Sequence, residues 1–249
     1  MADKIKDYYD IPFAHRLGDM LLQAEPGFDR AAYAATLPGH YVELEFRGRQ
    51  DAIVDMLEAA LPGDYAHHLQ VFERIQGPPL QGETGMFRDN WWLAPLGRYV
   101  ERHANDDPQA TLRFLHGFTQ RHTGEYAVRP VLIHDPEGTM RVLLDWSADD
   151  SVHVRRLASE GMRIALPWAP RTFAALGQPE LYRQILTRLK DDPSRFVQKS
   201  VGNNLNDLYR LAPQEAQVLV DLWQQQPLSK AAQWVLRHGQ RSLRKEEKA

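Results

Sequence analysis

The sequence predicts an all-α fold of stacked helix pairs, and three observations predict it. Apolar residues recur at helical spacing along most of the 249 residues, while β-rich alternating runs are scarce. Helix breakers return at near-regular intervals: Asp106-Asp107-Pro108, Asp135-Pro136, Leu166-Pro167-Trp168, Gln178-Pro179, Asp192-Pro193, Ala212-Pro213 and Gln226-Pro227. A weak internal repeat runs through the second half. There Asp149-Asp150-Ser151-Val152-His153-Val154-Arg155-Arg156 matches the run from Asp191 to Lys199 at an offset of roughly 43 residues, the size of one helix-pair unit.

Taken in order, the pattern predicts helices near 10–24, 28–36, 43–60, 64–75, 93–104, 108–121, 125–133, 136–147, 151–164, 170–176, 179–190, 194–210, 213–225 and 229–244. Gly77 to Asn90 reads as a loop, being broken by glycine and proline. Short helices joined by tight turns cannot bury their apolar faces alone. Stacking the pairs as HEAT-like repeats gives a continuous core and a curved α-solenoid, with one helix of each pair on a concave face. Residues 1–249 are read as one such domain, with acidic helices over 1–105 and the core repeats carrying the site over 106–245.

Composition narrows the chemistry. The chain has no cysteine, which rules out disulfides, thiolate zinc sites and cysteine nucleophiles. No signal peptide or membrane-length apolar run is visible, so a cytoplasmic protein without membrane association is the expectation. Net charge is −3, but it is unevenly spread. Ser151 to Ala249 holds 16 basic and 9 acidic residues, leaving 14 and 24 in the first 150. A basic second half suits a polyanion.

Three segments carry a resemblance. They are Gly124-Glu125-Tyr126-Ala127-Val128-Arg129-Pro130; His153 to Gly161 running on to Leu166-Pro167-Trp168-Ala169; and Ser200-Val201-Gly202-Asn203-Asn204-Leu205-Asn206-Asp207. In order and spacing they resemble the AlkC family of 3-methyladenine DNA glycosylases, specifically from about Ala110 to Leu243. Arg237 to Leu243 looks like that family's last repeat. Tyr126, Val128 and Val131 stand where Phe, Ile and Phe are expected, and Asn204 where His is common. None of the 249 residues is expected to form the C-terminal immunoglobulin-like domain of some members. The resemblance implies hydrolysis of the N-glycosidic bond of cationic N3-alkylated bases in duplex DNA, without the extra-helical base pocket most glycosylases need. It also implies that Glu125, Glu160 and Asp207 are the acidic residues of the site.

The chemistry is reasonable from the residues themselves. An N3-alkylated purine is already a cationic leaving group. The developing charge is on the sugar, where preorganised carboxylates stabilise it and one can orient the attacking water. Asp207 is assigned that last task. Lys199, Asn203 and Asp207 share one helical face, with Asn206 beside them. The plainer reading is that these polar groups only tie neighbouring helices together. Glu160, between Arg156 and Arg163, could likewise be a simple intrahelical ion pair, and Glu125 a helix-start carboxylate favoured by the helix dipole.

DNA contacts are expected from Arg129, Arg155, Arg156, Lys199, Asn203, Arg237 and Arg241, with Lys245 extending a basic ridge along the last helix. Trp168, in a proline-bounded loop, is expected to meet the lesion's sugar or backbone. Trp146, Trp223 and Trp234 read as core, and of the adjacent Trp91 and Trp92 at least one should point away from it. No lysine suggests a Schiff-base nucleophile, so a monofunctional enzyme is expected. His67-His68 is wrongly spaced for one metal, and neither metal nor cofactor is expected. The expected partner is duplex DNA carrying alkylated bases, bound by a monomer. The alternatives are a non-catalytic HEAT-repeat protein recognising bent or branched DNA, and a protein-binding scaffold, which the basic second half disfavours.

Overall fold

A computed structural model describes residues 5–83 and 89–246. Among them the chain is all-helical, as predicted, with no strand. No helix among the described residues is long and apolar enough to cross a membrane. The chain divides into two compact units, Met1–Val128 and Arg129–Ala249.

The first unit holds α1 (Ile11–Ala24), α2 (Arg30–Ala35), α3 (Phe46–Ala60), α4 (Tyr65–Ile75), α5 (Ala94–His103) and α6 (Pro108–Phe118). Four of these start as a helix should: Asp10, Asp29, Asp64 and Asp107 each accept a first-turn backbone N–H. Within this unit α1 packs on α2 and α4, α3 on α2 and α5, and α4 on α5 and α6. Tyr9, Tyr33, Tyr41, Phe72, Phe114 and Phe118 are fully buried in its core. Gly18 lets α1 approach the Tyr33 ring, since a Cβ there would sit 2.7 Å from Tyr33 Cε1.

The expected 43–60 helix starts later, at Phe46, after a 3-10 turn over Tyr41–Glu43. Arg49 is the reason: its buried guanidinium donates to Val42 O (2.7 Å), Leu44 O (3.0 Å) and Lys6 O (2.9 Å), which fixes the entry as irregular chain. The expected loop is non-helical over 77–83 and at 89–90, while 84–88 lie outside the described residues. Trp91, half-buried, meets the rings of Tyr8, Tyr9 and Phe13.

Helix α7 (Val128–His134) leads into the second unit, which continues with α8 (Pro136–Trp146), α9 (Val152–Glu160), α10 (Pro179–Leu189), α11 (Arg195–Leu211), α12 (Pro213–Gln224), α13 (Lys230–Gly239) and α14 (Leu243–Glu246). Helices α8, α10 and α12 each open on proline, which has no N–H to leave unsatisfied there. Helix α11 lies between α9 and α13, and α8 packs on α9 and α10. The repeat read from sequence is visible in atoms. Ser151 N donates to Asp149 Oδ1 (2.7 Å) just as Ser194 N donates to Asp192 Oδ1 (2.8 Å), and helices α9 and α11 follow. Trp146 and Trp223 are core, the latter donating its Nε1–H to Thr187 Oγ1.

Further along, three more expected helices differ. The 151–164 segment ends at Glu160, and 170–176 shrinks to a 3-10 turn at Ala174–Gly177, both because Arg129 binds backbone carbonyls in this stretch. The 229–244 segment breaks after Gly239, where a Cβ would lie 2.6 Å from Leu205 Cδ2. Gly202 does the same from α11, its Cβ position being 2.7 Å from His238 Cδ2. These two glycines let α11 and α13 pack closely. The single basic ridge expected along 229–244 is therefore split, and the Lys245 side chain lies outside the described residues.

Candidate active site

The second unit centres on a buried cluster of charge. Glu160 ends α9, Asp207 sits towards the C-terminal end of α11, and Arg163 follows α9 in the chain that leaves it; each is at most 6% exposed. Arg163 Nη1 donates to Glu160 Oε1 (2.8 Å), while Nε and Nη2 reach Asp207 Oδ2 (3.0 Å) and Oδ1 (3.4 Å). The backbone N–H of Ala165 also approaches Asp207 Oδ2, at 3.3 Å. Arg156 Nη2 lies 3.7 Å from Glu160 Oε1, and its guanidinium stands 4.7 Å over the Phe196 ring. Burial pushes the Glu160 carboxyl up, but Arg156 and Arg163 outweigh it and hold it below the usual carboxylate range. Glu160 Oε2 is buried and makes no ordinary hydrogen bond among the described residues, although the Ser200 hydroxyl is near enough to favour its charge.

A polar seam fixes these helices to one another. Asn204 of α11 donates to Ser159 O (2.9 Å) and Ser200 O (3.0 Å), and accepts from the buried Tyr182 hydroxyl (2.9 Å). Ser159 Oγ donates to Ser200 Oγ (2.7 Å). Ser159 O is one of the last carbonyls of α9, so Asn204 caps that helix from the side.

Arg129 of α7 completes the cap. Its Nη1 donates to Arg163 O (2.7 Å) and Gly161 O (3.4 Å), and its Nη2 to Pro170 O (2.7 Å). This explains why α9 stops at Glu160 and why 161–173 runs as a fixed loop. Arg129 was expected to contact DNA; at 5% exposure its guanidinium is turned to the loop instead. Arg155 is similarly committed, to Asp192 Oδ2 (2.7 Å) and to the Asp149 and Asp150 carbonyls. The loop that Arg129 shapes lifts Trp168 outward: the side chain is 64% exposed, with φ at +63°. A left-handed backbone at a bulky residue costs about 1–3 kcal/mol. Pro167 and Pro170 on either side, with Arg129 on Pro170 O, hold it there.

Lys199, Asn203, Arg237 and Arg241 fall on α11, α13 and the turn after α13. Lys199 and Arg237 are exposed, and Asn203 and Arg241 half-buried. Arg241 donates to Asn203 Oδ1 (3.0 Å) and His238 O (2.9 Å). Asn206, from the same polar stripe, donates instead to Gly239 O (2.8 Å) and so ties α11 to α13. Trp234, expected in the core, is only half-buried: it stacks on His238 at 4.9 Å with Arg195 4.0 Å over its ring.

Glu125 belongs to the first unit, where it stands in the turn before α7 rather than inside a helix. Thr123 Oγ1 donates to its Oε2 (2.8 Å) and accepts its backbone N–H (3.3 Å). The structure thus joins Glu160 to Asp207 within one unit. Arg163 was missed as a site residue. Its spacing from Glu160 signalled an ion pair, but nothing local signalled its fork onto Asp207, 44 residues away. No group of three metal-ligating side chains occurs among the described residues.

No protein-family model matches the chain. Among curated proteins it is similar to YhaZ of Bacillus subtilis (strain 168), itself uncharacterised, at 33% identity over 98% of this chain and 66% of that protein. Among solved structures it is similar to the Pseudomonas fluorescens alkylpurine DNA glycosylase AlkC, bound to DNA containing an abasic site analog. That match has a TM-score of 0.84 and 30% identity over 98% of this chain and 65% of that one. The chain therefore spans just under two thirds of the length of either relative. AlkD2 of Streptococcus mutans, at 17% identity and a TM-score of 0.56 over 84% of this chain and 95% of its own, shares the fold. The chain is thus similar to AlkC along almost its whole length, and with AlkD2 it shares the fold of stacked, HEAT-like helix pairs.

Proposed function

We propose that the chain is a monofunctional DNA glycosylase. It hydrolyses the N-glycosidic bond of cationic N3-alkylated bases, 3-methyladenine above all, in duplex DNA and without swinging the base into a pocket. The observation that carries the reading is the pair of buried carboxylates on one guanidinium, in a chain 30% identical to an alkylpurine DNA glycosylase. Glu160 and Asp207 set two carboxylates side by side on Arg163, with Arg156 at the edge of the cluster, and they are preorganised by bonds from three elements. Negative charge fixed in a dry site favours a sugar that turns cationic as its base leaves. The base is already charged and needs no acid.

Asp207 is the residue for the attacking water. Its Oδ2 takes two donors, but Oδ1 meets only the long 3.4 Å approach of Arg163 and keeps lone-pair capacity for a water proton. Glu160, held ionised by Arg156 and Arg163, supplies charge beside the sugar, and Glu125 is the third carboxylate of the set. Trp168 packs on the deoxyribose, and Lys199, Asn203, Arg237 and Arg241 hold phosphates. The protein acts as a monomer, with no metal or cofactor.

The test is base release from methylated duplex DNA by the pure protein and by Asp207→Asn. The wild type should release 3-methyladenine and leave the strand unbroken. The variant should lose about 100-fold or more in rate, the usual cost of removing one preorganised electrostatic group. Full release by the variant would remove Asp207 from the chemistry. DNA binding with no release by the wild type would make the chain a non-catalytic duplex-binding protein.

A further inference from the structure

The seam between α11 and α13 carries positive charge that no ion pair among the described residues takes up, although Asp207 acts on Arg241 from a distance. Arg195, Lys199, Arg237 and Arg241 make no ion pair there. Arg241 instead donates to Asn203 Oδ1, an atom that His238 Nε2 also meets at 3.0 Å. A guanidinium can only donate, so the atom between them is the amide oxygen, and the imidazole nitrogen facing it carries the hydrogen. The Asn203 amide is therefore pinned with its oxygen inward, and its NH₂ group, with two donors and no acceptor, is turned away from them. For the same reason the His238 ring keeps a lone pair on its second nitrogen, Nδ1.

The ring is itself held in place, stacked on Trp234 at 4.9 Å with 7° between planes, and Gly202 of α11 gives it room. The charged groups acting on it are Lys199 from α11, Arg241 from the turn after α13 and Arg163 from the loop after α9. The nearby carboxylate, Asp207, is engaged by Arg163. Burial first, and then those three cations, depress the imidazole to about 4, so it is neutral at physiological pH.

We propose that this seam is a binding site for one backbone phosphate of DNA, held by Lys199, the Asn203 amide and Arg241, and that His238 takes up a proton when the phosphate binds. The inference rests on the reading of the chain as a DNA enzyme and deepens it. The physical reason is reciprocity: burial still disfavours the charged ring, but a phosphate that neutralises Lys199 and Arg241 removes the repulsion added to it and sets a negative charge nearby, so the ring's proton affinity rises on binding. Free His238 is neutral above about 4, while bound His238 protonates at a higher pH, so affinity grows as pH falls from neutrality towards the free value.

The test uses undamaged duplex DNA, so that base release plays no part. Calorimetric binding near pH 6, in buffers of different ionisation enthalpy, should show net proton uptake. Affinity should rise by about fourfold between pH 7.5 and pH 5.5, the gain that a His238 midpoint raised by about two units gives. In His238→Gln the uptake should fall to the background of the other histidines. No uptake by the wild type, or the same uptake by His238→Gln, overturns the proposal. A second measurement needs no variant: labelled-histidine NMR of the wild type. Both His238 and the buried His122 of the first unit titrate near 4 when free. Saturating DNA should raise one midpoint by about two units, as that uptake requires, and leave the other in place; two unmoved midpoints overturn the proposal. Should proton uptake hold while methylated DNA yields no free base, the glycosylase reading fails and the phosphate site stands.

Discussion

Two helix seams of this protein treat arginine in opposite ways. Along α3 and α5 the guanidinium groups find carboxylates: Arg98 meets Asp51 (2.6 Å) and Glu101 (2.9 Å), Arg102 meets Asp55 (2.5 Å) and Glu58 (3.0 Å), and Arg47 meets Glu101 (3.0 Å). Along α11 and α13, Arg195, Lys199, Arg237 and Arg241 have no such partners among the described residues. Between these extremes lies Arg163, buried with two carboxylates of its own. The first arrangement neutralises itself and offers little to an outside ion. The second leaves its charge for a ligand, and the third fixes charge of the other sign where a reaction could use it. Net charge alone hides this, because the number that matters is how many charges remain unmatched.

The largest effect is expected from Arg163→Met. It would leave Glu160 and Asp207 buried without their shared partner, and removing one side of a buried ion pair costs about 3–5 kcal/mol. Urea unfolding of the variant should show a fall in stability of that size. A fall below about 1 kcal/mol would mean that the cluster is paired no more tightly than a surface bridge.

Next in size is Arg129→Lys. Lysine keeps the charge but cannot reach Gly161, Arg163 and Pro170 with one planar fork, so the loop bearing Arg163 and Trp168 should loosen. Turnover of methylated DNA should fall about 10- to 100-fold, as misplacing a reacting group commonly does. The fluorescence that Trp168→Phe removes should become more open to acrylamide quenching in the Arg129→Lys background. If turnover falls while that quenching is unchanged, Arg129 is not acting through the loop.

The helix starts were readable because their signals are local. Asp107, Asp135 and Asp64 cap the helices they precede, and proline opens α6, α8, α10 and α12. The helix ends were less readable where a distant group makes them. Glu160 ends α9 because Arg129 and Asn204 take carbonyls that the next turn of helix would have used, from residues 32 to 45 positions away in sequence. The same limit applies to the site. Glu160 and Asp207 stood out by motif, but Arg163 between them, and His238 behind Asn203, matter only through bonds that cross helices. Arg129 and Arg155 looked like phosphate ligands because a basic residue in sequence does not announce its partner.

A smaller effect belongs to the unmatched seam. Replacing Lys199, Arg237 and Arg241 singly by glutamine should weaken duplex binding without altering sequence preference. Each substitution that removes a true phosphate ligand should reduce the slope of log affinity against log salt by about 0.9. Unchanged slopes for all three would show that DNA lies elsewhere.

The least effect is expected from the matched seam, and it is the control that gives the others meaning. Arg102 reaches Asp51, Asp55 and Glu58 from a side chain 30% exposed. Water and salt already screen such pairs, and the entropy cost of holding a long side chain offsets much of their attraction. Arg102→Gln should therefore cost about 1 kcal/mol or less in unfolding free energy, less still in high salt. The salt slope of duplex binding should stay as in the wild type, although a positive charge has gone. A slope lowered by as much as Lys199→Gln lowers it would mean that the paired arginines of α3 and α5 also serve DNA, and the contrast between the two seams would fail.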